Sequence, residues 1–211
     1  MTDIDWENLK FSYTPTDYNV RCYYRNGKWG EIEVTSSEYI NLHMAASCLH
    51  YGQNGWEGQK AFRCPDGKVR TFRIEENAAR LQSTCRAMMM PEVPTELFVE
   101  MCRKAVKLNE KFIPPYETGA ALYIRPIVIG TGAQLGVSPT DEVRGNYGAS
   151  LRAHVQASRE GYSCEFYLDP RQKKYIEECG AANFIAVKGN KYITPESDSI
   201  LPSITNKSLQ Q

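Results

Sequence analysis

The chain has 211 residues, and its 25 Lys and Arg are balanced by 25 Asp and Glu, so the formal net charge is zero. It has neither the basic excess that favours nucleic acid nor the acidic tail that marks a disordered partner region. Hydrophobic residues make up 42% and charged residues 24% of the chain. These values are typical of a globular protein with one large or two small domains.

The composition predicts a cytoplasmic protein. The first ten residues, MTDIDWENLK, are acidic and polar, unlike a signal or transit peptide, and no apolar run is long enough to cross a bilayer. The seven cysteines are odd in number and include no C-x-x-C pair, which favours reduced thiols. With three histidines and no ligand-type spacing to the cysteines, we expect no metal site.

Two hairpins are predicted in the first part of the chain. Asn26-Gly27 is a strong hairpin signal between predicted strands at residues 19–24 and 30–35. A second turn, around Asp66-Gly67, joins predicted strands at residues 59–64 and 69–74.

Apolar residues at helical spacing predict four helices, over residues 39–49, 75–89, 95–112 and 151–160. The third is the clearest, because Pro94 stands at its start and Pro114 stops it. Further short strands are predicted at residues 164–168, at 183–187 and from 191, and residues 201–205 should open another helix. Mixed in this way, the elements predict an α+β fold.

Residues 122–150 carry the most chemical information. Residues 122–130 are apolar and β-branched, which predicts a buried strand with Arg125 at its centre. A buried guanidinium needs an anion beside it, so Arg125 is either half of a structural ion pair or a grip on an acidic ligand. Residues 145–150, GNYGAS, form a small-residue loop that either passes close to a ligand or simply starts a helix.

Four motifs together resemble those of the branched-chain amino acid aminotransferases, which are pyridoxal 5'-phosphate (PLP) enzymes of fold type IV. They are LYIRP, GNYGAS, YIEECGAANF and ILPSIT, and the resemblance runs from about Trp6 to the last residue. It implies a small N-terminal α/β domain with an extended arm, residues 1–141, and an incomplete C-terminal PLP-binding domain, residues 142–211. It also implies branched-chain amino acid and 2-oxo acid substrates, a biosynthetic role and a homodimer.

The sequence departs from the family pattern where the cofactor lysine is expected. The family has this lysine five residues before the tyrosine of K-x-G-G-N-Y, but Glu142 stands there, and Arg144 replaces the first glycine. Several tens of residues before this motif, and a further length after ITNKSL, have no counterpart. The resemblance therefore implies an internally deleted and C-terminally truncated form whose activity is impaired.

The resemblance assigns the cofactor contacts residue by residue. Arg80 matches the phosphate-binding arginine, although an ordinary surface pair with Glu76 is the alternative. The backbone N–H groups of Ile204 and Thr205 would complete the phosphate site at a helix N-terminus.

The other two assigned contacts lie on the cofactor ring. Glu178 matches the acid opposite the pyridinium nitrogen, and by itself it suggests only a solvated hairpin glutamate. Tyr147 matches the donor to the phenolic oxygen, and by itself it suggests a half-buried aromatic residue at a helix start.

The substrate pocket implied by the resemblance would use four residues: Tyr51, Trp56, Tyr123 and Arg125. The first two belong to or adjoin the segment GQNGWEGQKAF, residues 52–62, in which Trp56 replaces the usual phenylalanine. Aromatic residues at such spacing also occur simply as core.

Two other functions stay open. One is a catalytically dead pseudo-enzyme or interaction module that pairs with an intact homologue. The other is a different fold-type-IV activity, D-amino acid transamination or aminodeoxychorismate lyase, which the long N-terminal arm and LYIRP disfavour.

Overall fold

The computed structural model describes residues 4–6, 8–9, 12–133, 156–169, 171–179, 182–198 and 200–210. The chain divides into two compact units, Met1–Glu142 (unit 1) and Val143–Gln211 (unit 2). Within the described residues, every helix is too short or too polar to cross a membrane.

The described residues of unit 1 form three α-helices and nine short strands. Its helices are α1 Ser47–Tyr51, α2 Ile74–Ala87 and α3 Thr95–Leu108. Its strands are β1 Asn19–Arg21, β2 Tyr24–Arg25, β3 Lys28–Trp29, β4 Glu33–Thr35, β5 Asn54–Trp56, β6 Gln59–Arg63, β7 Val69–Thr71, β8 Leu122–Ile124 and β9 Ile127–Ile129. Two 3-10 turns, Glu110–Phe112 and Tyr116–Thr118, lead from α3 to β8.

Both predicted hairpins are confirmed. Strands β2 and β3 pair across Asn26 and Gly27, whose φ angles of 53° and 77° give the left-handed turn that the strand twist requires. Strand β7 pairs antiparallel with β6, and β8 pairs with the other edge of β6. Strand β5 pairs antiparallel with β9 in a separate two-stranded sheet.

The core of unit 1 lies between α2 and α3. The predicted apolar stripe of α2, Ala78, Leu81 and Cys85, is fully buried and packs against Phe98 and Cys102 of α3. Asn109 follows the last residue of α3. Its side-chain oxygen accepts from the N–H of Tyr18, and its side-chain nitrogen donates to the carbonyl oxygens of Tyr18 and Ala105. These bonds hold the N-terminal strand region against the end of α3.

The predicted helix over residues 39–49 is wrong. Helix α1 spans only Ser47–Tyr51, and two of the apolar residues that suggested the longer helix are exposed, Ile40 at 47% and Met44 at 83%. Apolar residues at helical spacing stabilise a helix only when its apolar face packs against a core, and these residues have no such surface to cover.

The strand predicted over residues 122–130 is two strands, β8 and β9, interrupted at Arg125 and Pro126. Proline has no N–H to give to a ladder, which explains the break. Strand β8 continues on β6 and strand β9 on β5, so one stretch of chain serves two sheets.

Unit 2 is built mostly from short antiparallel strands. They are β10 Phe166–Leu168, β11 Ile176–Cys179, β12 Ala182–Asn183, β13 Ala186–Lys188 and β14 Lys191–Ile193, with helix α4 at Ile204–Leu209. Strands β10, β11 and β12 form one sheet, and β13 and β14 form a hairpin. Residues 156–159 are helical, which fits the end of the predicted helix; its start lies outside the described residues.

Strand β11 was not predicted. Its residues belong to the charged segment between β10 and β12, which the sequence pattern indicated only as a connection. The backbone pairing with β10 and β12 overrides the low strand propensity of its two glutamates.

The α2–α3 core predicts the response to truncation of Leu81. This side chain is 2% exposed, and Leu81→Ala should lower the free energy of unfolding by about 2–5 kcal/mol, because burial is lost and a cavity remains. Urea unfolding followed by circular dichroism measures this change. Leu49→Ala, at an exposed leucine of α1, is the matched control and should change stability by less than about 0.5 kcal/mol. Equal effects of the two substitutions would contradict this location of the core.

Candidate functional site

A buried ion pair stands at the centre of the candidate site in unit 1. The guanidinium of Arg80 donates from Nε to Glu57 Oε1 at 2.7 Å and from Nη2 to Glu57 Oε2 at 2.6 Å. The Glu57 side chain is 3% exposed and that of Arg80 is 18% exposed. A carboxylate this deeply buried is stable only with charge-assisted partners, and the bidentate guanidinium supplies them.

Three elements place this pair. Glu57 lies in the tight connection between β5 and β6, and its N–H donates to the carbonyl oxygen of Pro126 at 2.9 Å. Arg80 lies on α2, one turn after Asn77, and the Asn77 side chain donates to Glu57 Oε2 at 2.8 Å and to the Gly58 carbonyl at 3.2 Å. The carboxylate therefore ties the helix to the strand connection.

The alternative partner for Arg80 is excluded. Glu76 accepts from Arg73 at 3.2 Å, an i, i+3 pair on the outer surface of α2, while Arg80 turns inward to Glu57. The role in phosphate binding that the family resemblance assigns to Arg80 stays a prediction.

Arg125, Trp56 and Tyr123 lie together. The guanidinium carbon of Arg125 is 4.2 Å from the centre of the Trp56 ring and 5.2 Å from that of Tyr123. Such cation–π contacts contribute about 0.5–1 kcal/mol at exposed positions. The predicted burial of Arg125 is wrong: the side chain is exposed, because it follows β8 at the break before Pro126. Among the described residues no carboxylate pairs with it, so the structural ion pair is not seen.

Gly58 joins the ion pair to the aromatic group. A Cβ atom on Gly58 would lie 2.5 Å from the hydroxyl and 3.2–3.3 Å from two ring carbons of Tyr123, so the ring rests directly on the glycine. Gly58 follows Glu57 in the chain and accepts from Asn77 through its carbonyl. The absence of a side chain at Gly58 lets the Tyr123 ring pack against the backbone next to Glu57.

Tyr51 stands at the C-terminal end of α1. Its ring centre lies 6.1 Å from that of His50, and the helix then ends at Gly52 in the left-handed conformation. The neighbouring Gln53 bonds the Ser47 hydroxyl and the carbonyl oxygen of Met88, which fixes this loop to the end of α2. Tyr51 thus precedes a well-anchored turn, and its part in a substrate pocket stays a prediction.

In unit 2, Glu178 lies on β11 opposite Tyr167 and Asn183. Its Oε1 accepts from the backbone N–H of Leu201 at 2.8 Å, so it is held by main chain and is not the loosely solvated hairpin glutamate of the alternative. Asn183 reinforces the contact, because its side chain donates to the carbonyl oxygen of Leu201 at 3.0 Å.

Helix α4 begins just beyond this contact. Ser203 caps it by accepting from the N–H of Asn206 at 3.2 Å, and Ile204 and Thr205 are its first two residues. Glu178 therefore binds the backbone of Leu201, which stands three residues before Ile204 in the same segment. Tyr147 and Glu142 lie outside the described residues.

A second carboxylate in unit 2 is also held by backbone. Asp169 accepts from the N–H groups of Gln172, Lys174 and Tyr175, and these bonds lower the pKa of its carboxyl group to about 2. It therefore stays ionised and fixes the connection between β10 and β11. Within the described part of the chain, no group of three or more His, Cys, Asp and Glu residues is placed to hold a metal ion.

Comparisons with known proteins identify the family. A branched-chain-amino-acid aminotransferase of Haemophilus influenzae is 40% identical over 255 residues, covering 99% of this chain and 74% of the relative. The chain belongs to the branched-chain-amino-acid aminotransferase family. A member from Helicobacter pylori matches equally well, at 40% identity over 252 residues and with the same coverage. None of the family models searched matches the sequence.

Solved branched-chain aminotransferases have the same fold type IV architecture. The Escherichia coli enzyme superposes with a TM-score of 0.72 at 23% identity, covering 92% of this chain and 72% of the other. The Thermobaculum terrenum enzyme in its PLP form gives a TM-score of 0.65 at 18% identity, covering 93% of this chain and 72% of the other. At these identities the likeness concerns the fold, which is the predicted α+β class.

The aminotransferase relatives also contain residues that this chain lacks. The alignment with the Haemophilus relative extends over 255 positions, whereas this chain has 211 residues, so at least 44 positions have no counterpart here. An internal gap of several tens of residues was expected from the resemblance; its place before residue 145 stays a prediction.

Glu57 and Asn77 are site residues that the sequence analysis missed. Glu57 is the glutamate of GQNGWEGQKAF, and Asn77 stands three residues before Arg80. The available signal for Glu57 was its place in a motif segment between two strands, because a carboxylate that becomes buried there requires a cation.

Removing the charge of Glu57 should destabilise unit 1. Glu57→Gln leaves the guanidinium of Arg80 partly buried without its counter-charge, and we expect a loss of about 3 kcal/mol, the lower end for breaking a buried pair. Chemical denaturation at neutral pH gives the value. The matched control is Glu76→Gln, which breaks the more exposed pair on the same helix and should cost less than about 1 kcal/mol. If both variants lost the same small amount, Glu57 would not anchor the helix.

A side chain at Gly58 should displace Tyr123. Gly58→Ala forces the ring away and should cost about 1–3 kcal/mol, with a changed near-ultraviolet circular dichroism signal from the aromatic group. Adding Tyr123→Phe removes the nearest atom and should recover part of the stability. Gly132→Ala is the matched control, because a Cβ there meets no atom within 4 Å. No difference between the two alanine variants would refute the close packing.

Proposed function

We propose that the chain carries the site of an enzyme that transfers the amino group of leucine, isoleucine or valine to 2-oxoglutarate with PLP, and that this form is impaired. The names of the relatives support the reaction class. The observation that carries the proposal is the grouping of Arg125, Trp56 and Tyr123, in which the Tyr123 ring rests on Gly58, the residue after Glu57. It combines apolar ring faces and an exposed cation in one place.

On the substrate side, the rings of Trp56 and Tyr123 would contact the branched apolar side chain, and Tyr51 would add a further aromatic wall. Arg125, exposed and stacked on two rings, would hold the second carboxylate of 2-oxoglutarate or glutamate. Selection among leucine, isoleucine and valine would be modest, about 1–3 kcal/mol per methylene group.

In unit 1, Arg80 would contribute to binding the phosphate of PLP. Its side chain is only 18% exposed, and two hydrogen bonds to Glu57 fix its orientation. Glu57 would act as a positioning residue, because its carboxylate sets the plane of the Arg80 guanidinium.

Within unit 2, Glu178 would face the ring nitrogen, and the N–H groups of Ile204 and Thr205 would bind phosphate oxygens. Tyr147 would donate to the phenolic oxygen. When bound, PLP supplies an electron-withdrawing ring, and an ionised carboxylate keeps the ring nitrogen protonated for that purpose. Glu178 suits this role because a backbone N–H holds it in place.

Glu142 is the reason for impairment. A carboxylate can neither attach to PLP nor act as the amine that carries a proton at the substrate carbon. Loss of the general base alone lowers a rate by about 10²–10⁴-fold. Arg144 cannot substitute, since a guanidinium does not lose its proton at neutral pH.

A lysine restored at position 142 tests this proposal. We expect the chain as written to show no PLP fixed to residue 142 after borohydride reduction, and leucine-to-2-oxoglutarate amino transfer at least 10²-fold below that of Glu142→Lys. Peptide mass mapping and glutamate formation are the two measurements. Arg144→Lys is the matched control, with a lysine in the same segment but at the wrong position.

Two outcomes would count against the proposal. Transfer by the unchanged chain at the rate of the lysine variant would show that Glu142 does not impair it. No PLP binding by either form, measured by absorbance and equilibrium dialysis, would remove the cofactor assignment.

The second candidate is a non-catalytic module that pairs with an intact aminotransferase. Glu142 favours it, as does the exposure of Tyr39 and Met44 on unit 1, which suits a partner surface. We also propose a homodimer and a cytoplasmic location. Sedimentation of the chain alone, and mixed with an intact aminotransferase of the family, separates a self-pairing chain from one that pairs only with the enzyme.

A further inference from the structure

Two thiols of unit 2 lie in contact. The Sγ atoms of Cys164 and Cys179 are 3.2 Å apart, although the chain separates them by fifteen residues. A disulfide bond measures about 2.0 Å between sulfur atoms, so closure requires a movement of only about 1.2 Å. Each of the other five cysteines lies elsewhere in the described residues, and two of them, Cys85 and Cys102, are buried in the core of unit 1.

The backbone holds this pair in register. Cys179 lies opposite Phe166 in the antiparallel pairing of β10 and β11, and Cys164 precedes Phe166 by two residues. The two cysteines therefore project on the same face as diagonal neighbours, the arrangement in which cross-strand side chains meet. Phe166 packs edge-on against Phe184 at 5.6 Å, which steadies that face.

The connection between the strands is also fixed. The carboxylate of Asp169 accepts three backbone N–H groups of the turn, and the N–H of Asp169 donates to the carbonyl oxygen of Tyr175 at 2.8 Å. The approach of the two sulfur atoms is thus a property of the folded hairpin. Two sulfur atoms that are already close form a disulfide with each other faster than either forms one with a distant thiol.

We propose that Cys164 and Cys179 form an oxidation site that closes to a disulfide by exchange with a small-molecule disulfide such as oxidised glutathione. Cys164 is the entry point, because its side chain is exposed while Cys179 is partly covered. Cys179 is the resolving thiol.

The exchange balances in two steps. The thiolate of Cys164 attacks one sulfur of the small disulfide, its S–S bond breaks, and one glutathione leaves and takes a proton. Cys179 then loses its proton and attacks the Cys164 sulfur, and the second glutathione leaves. The chain is oxidised by two electrons, and one disulfide is reduced to two thiols. Because the thiolate is the attacking form in both steps, the exchange accelerates as the pH rises.

The site acts on the strand that carries Glu178. Cys179 and Glu178 are adjacent on β11 and project on opposite faces, so a disulfide on one face constrains the strand beneath the carboxylate on the other. The redox state of the pair would therefore alter the mobility of Glu178. The chemistry of the thiols itself does not depend on PLP or on the activity proposed above.

Thiol mapping of the full chain tests the site. After incubation with oxidised glutathione and blocking of remaining thiols, trypsin cuts at Arg171, Lys173 and Lys174, inside the loop between the two cysteines. We expect a disulfide-linked pair of peptides containing Cys164 and Cys179, a loss of two titratable thiols, and recovery of both by dithiothreitol. The same treatment in urea should lose this selectivity, because the folded hairpin brings the sulfurs together.

Single variants separate the two roles. Cys179→Ser should stop at the glutathione adduct on Cys164, and Cys164→Ser should slow modification of Cys179. Cys22→Ser, at a partly covered thiol of unit 1, is the matched control and should leave the linked peptides unchanged. Stable glutathione adducts on both thiols of the unaltered chain, or linkage of Cys164 to other cysteines at equal yield, would overturn the proposal.

Discussion

The burial of one carboxylate governs the arrangement of unit 1. The Glu57 side chain is 3% exposed, and a carboxylate this deeply buried needs a fixed cation, which Arg80 supplies through two hydrogen bonds from one edge of its guanidinium. Because Asn77 binds the same carboxylate, helix α2 can take only one rotation relative to the connection between β5 and β6. The positions of the two neighbours of Glu57, Trp56 and Gly58, follow from this arrangement.

The two arginines of the site have opposite environments. Arg80 is shielded and compensated, which gives a rigid donor group, whereas Arg125 is exposed and lies over two aromatic rings. Stacking orients a guanidinium without neutralising it, because the ring faces carry no formal charge.

In the described part of unit 2, main-chain contacts fix two carboxylates. The N–H of Leu201 holds Glu178, and three N–H groups hold Asp169, so both carboxylates are fixed by the backbone of short strands and turns. Strand β11 then presents Glu178 on one face and Cys179 on the other. A single short strand thus links the acid assigned to the coenzyme ring with a thiol pair close enough to oxidise.

The sequence by itself determined the hairpins, the two long helices with their buried stripe, the α+β class and the family, because these depend on local turn chemistry, on helical periodicity and on motif order. Only the tertiary structure decided that residues 39–46 are not helical, that Arg125 is exposed and that Glu57 is the partner of Arg80. It also placed Cys164 against Cys179. Each of these depends on which distant segment supplies a surface, a charge or a backbone partner, and spacing along one chain carries no such information.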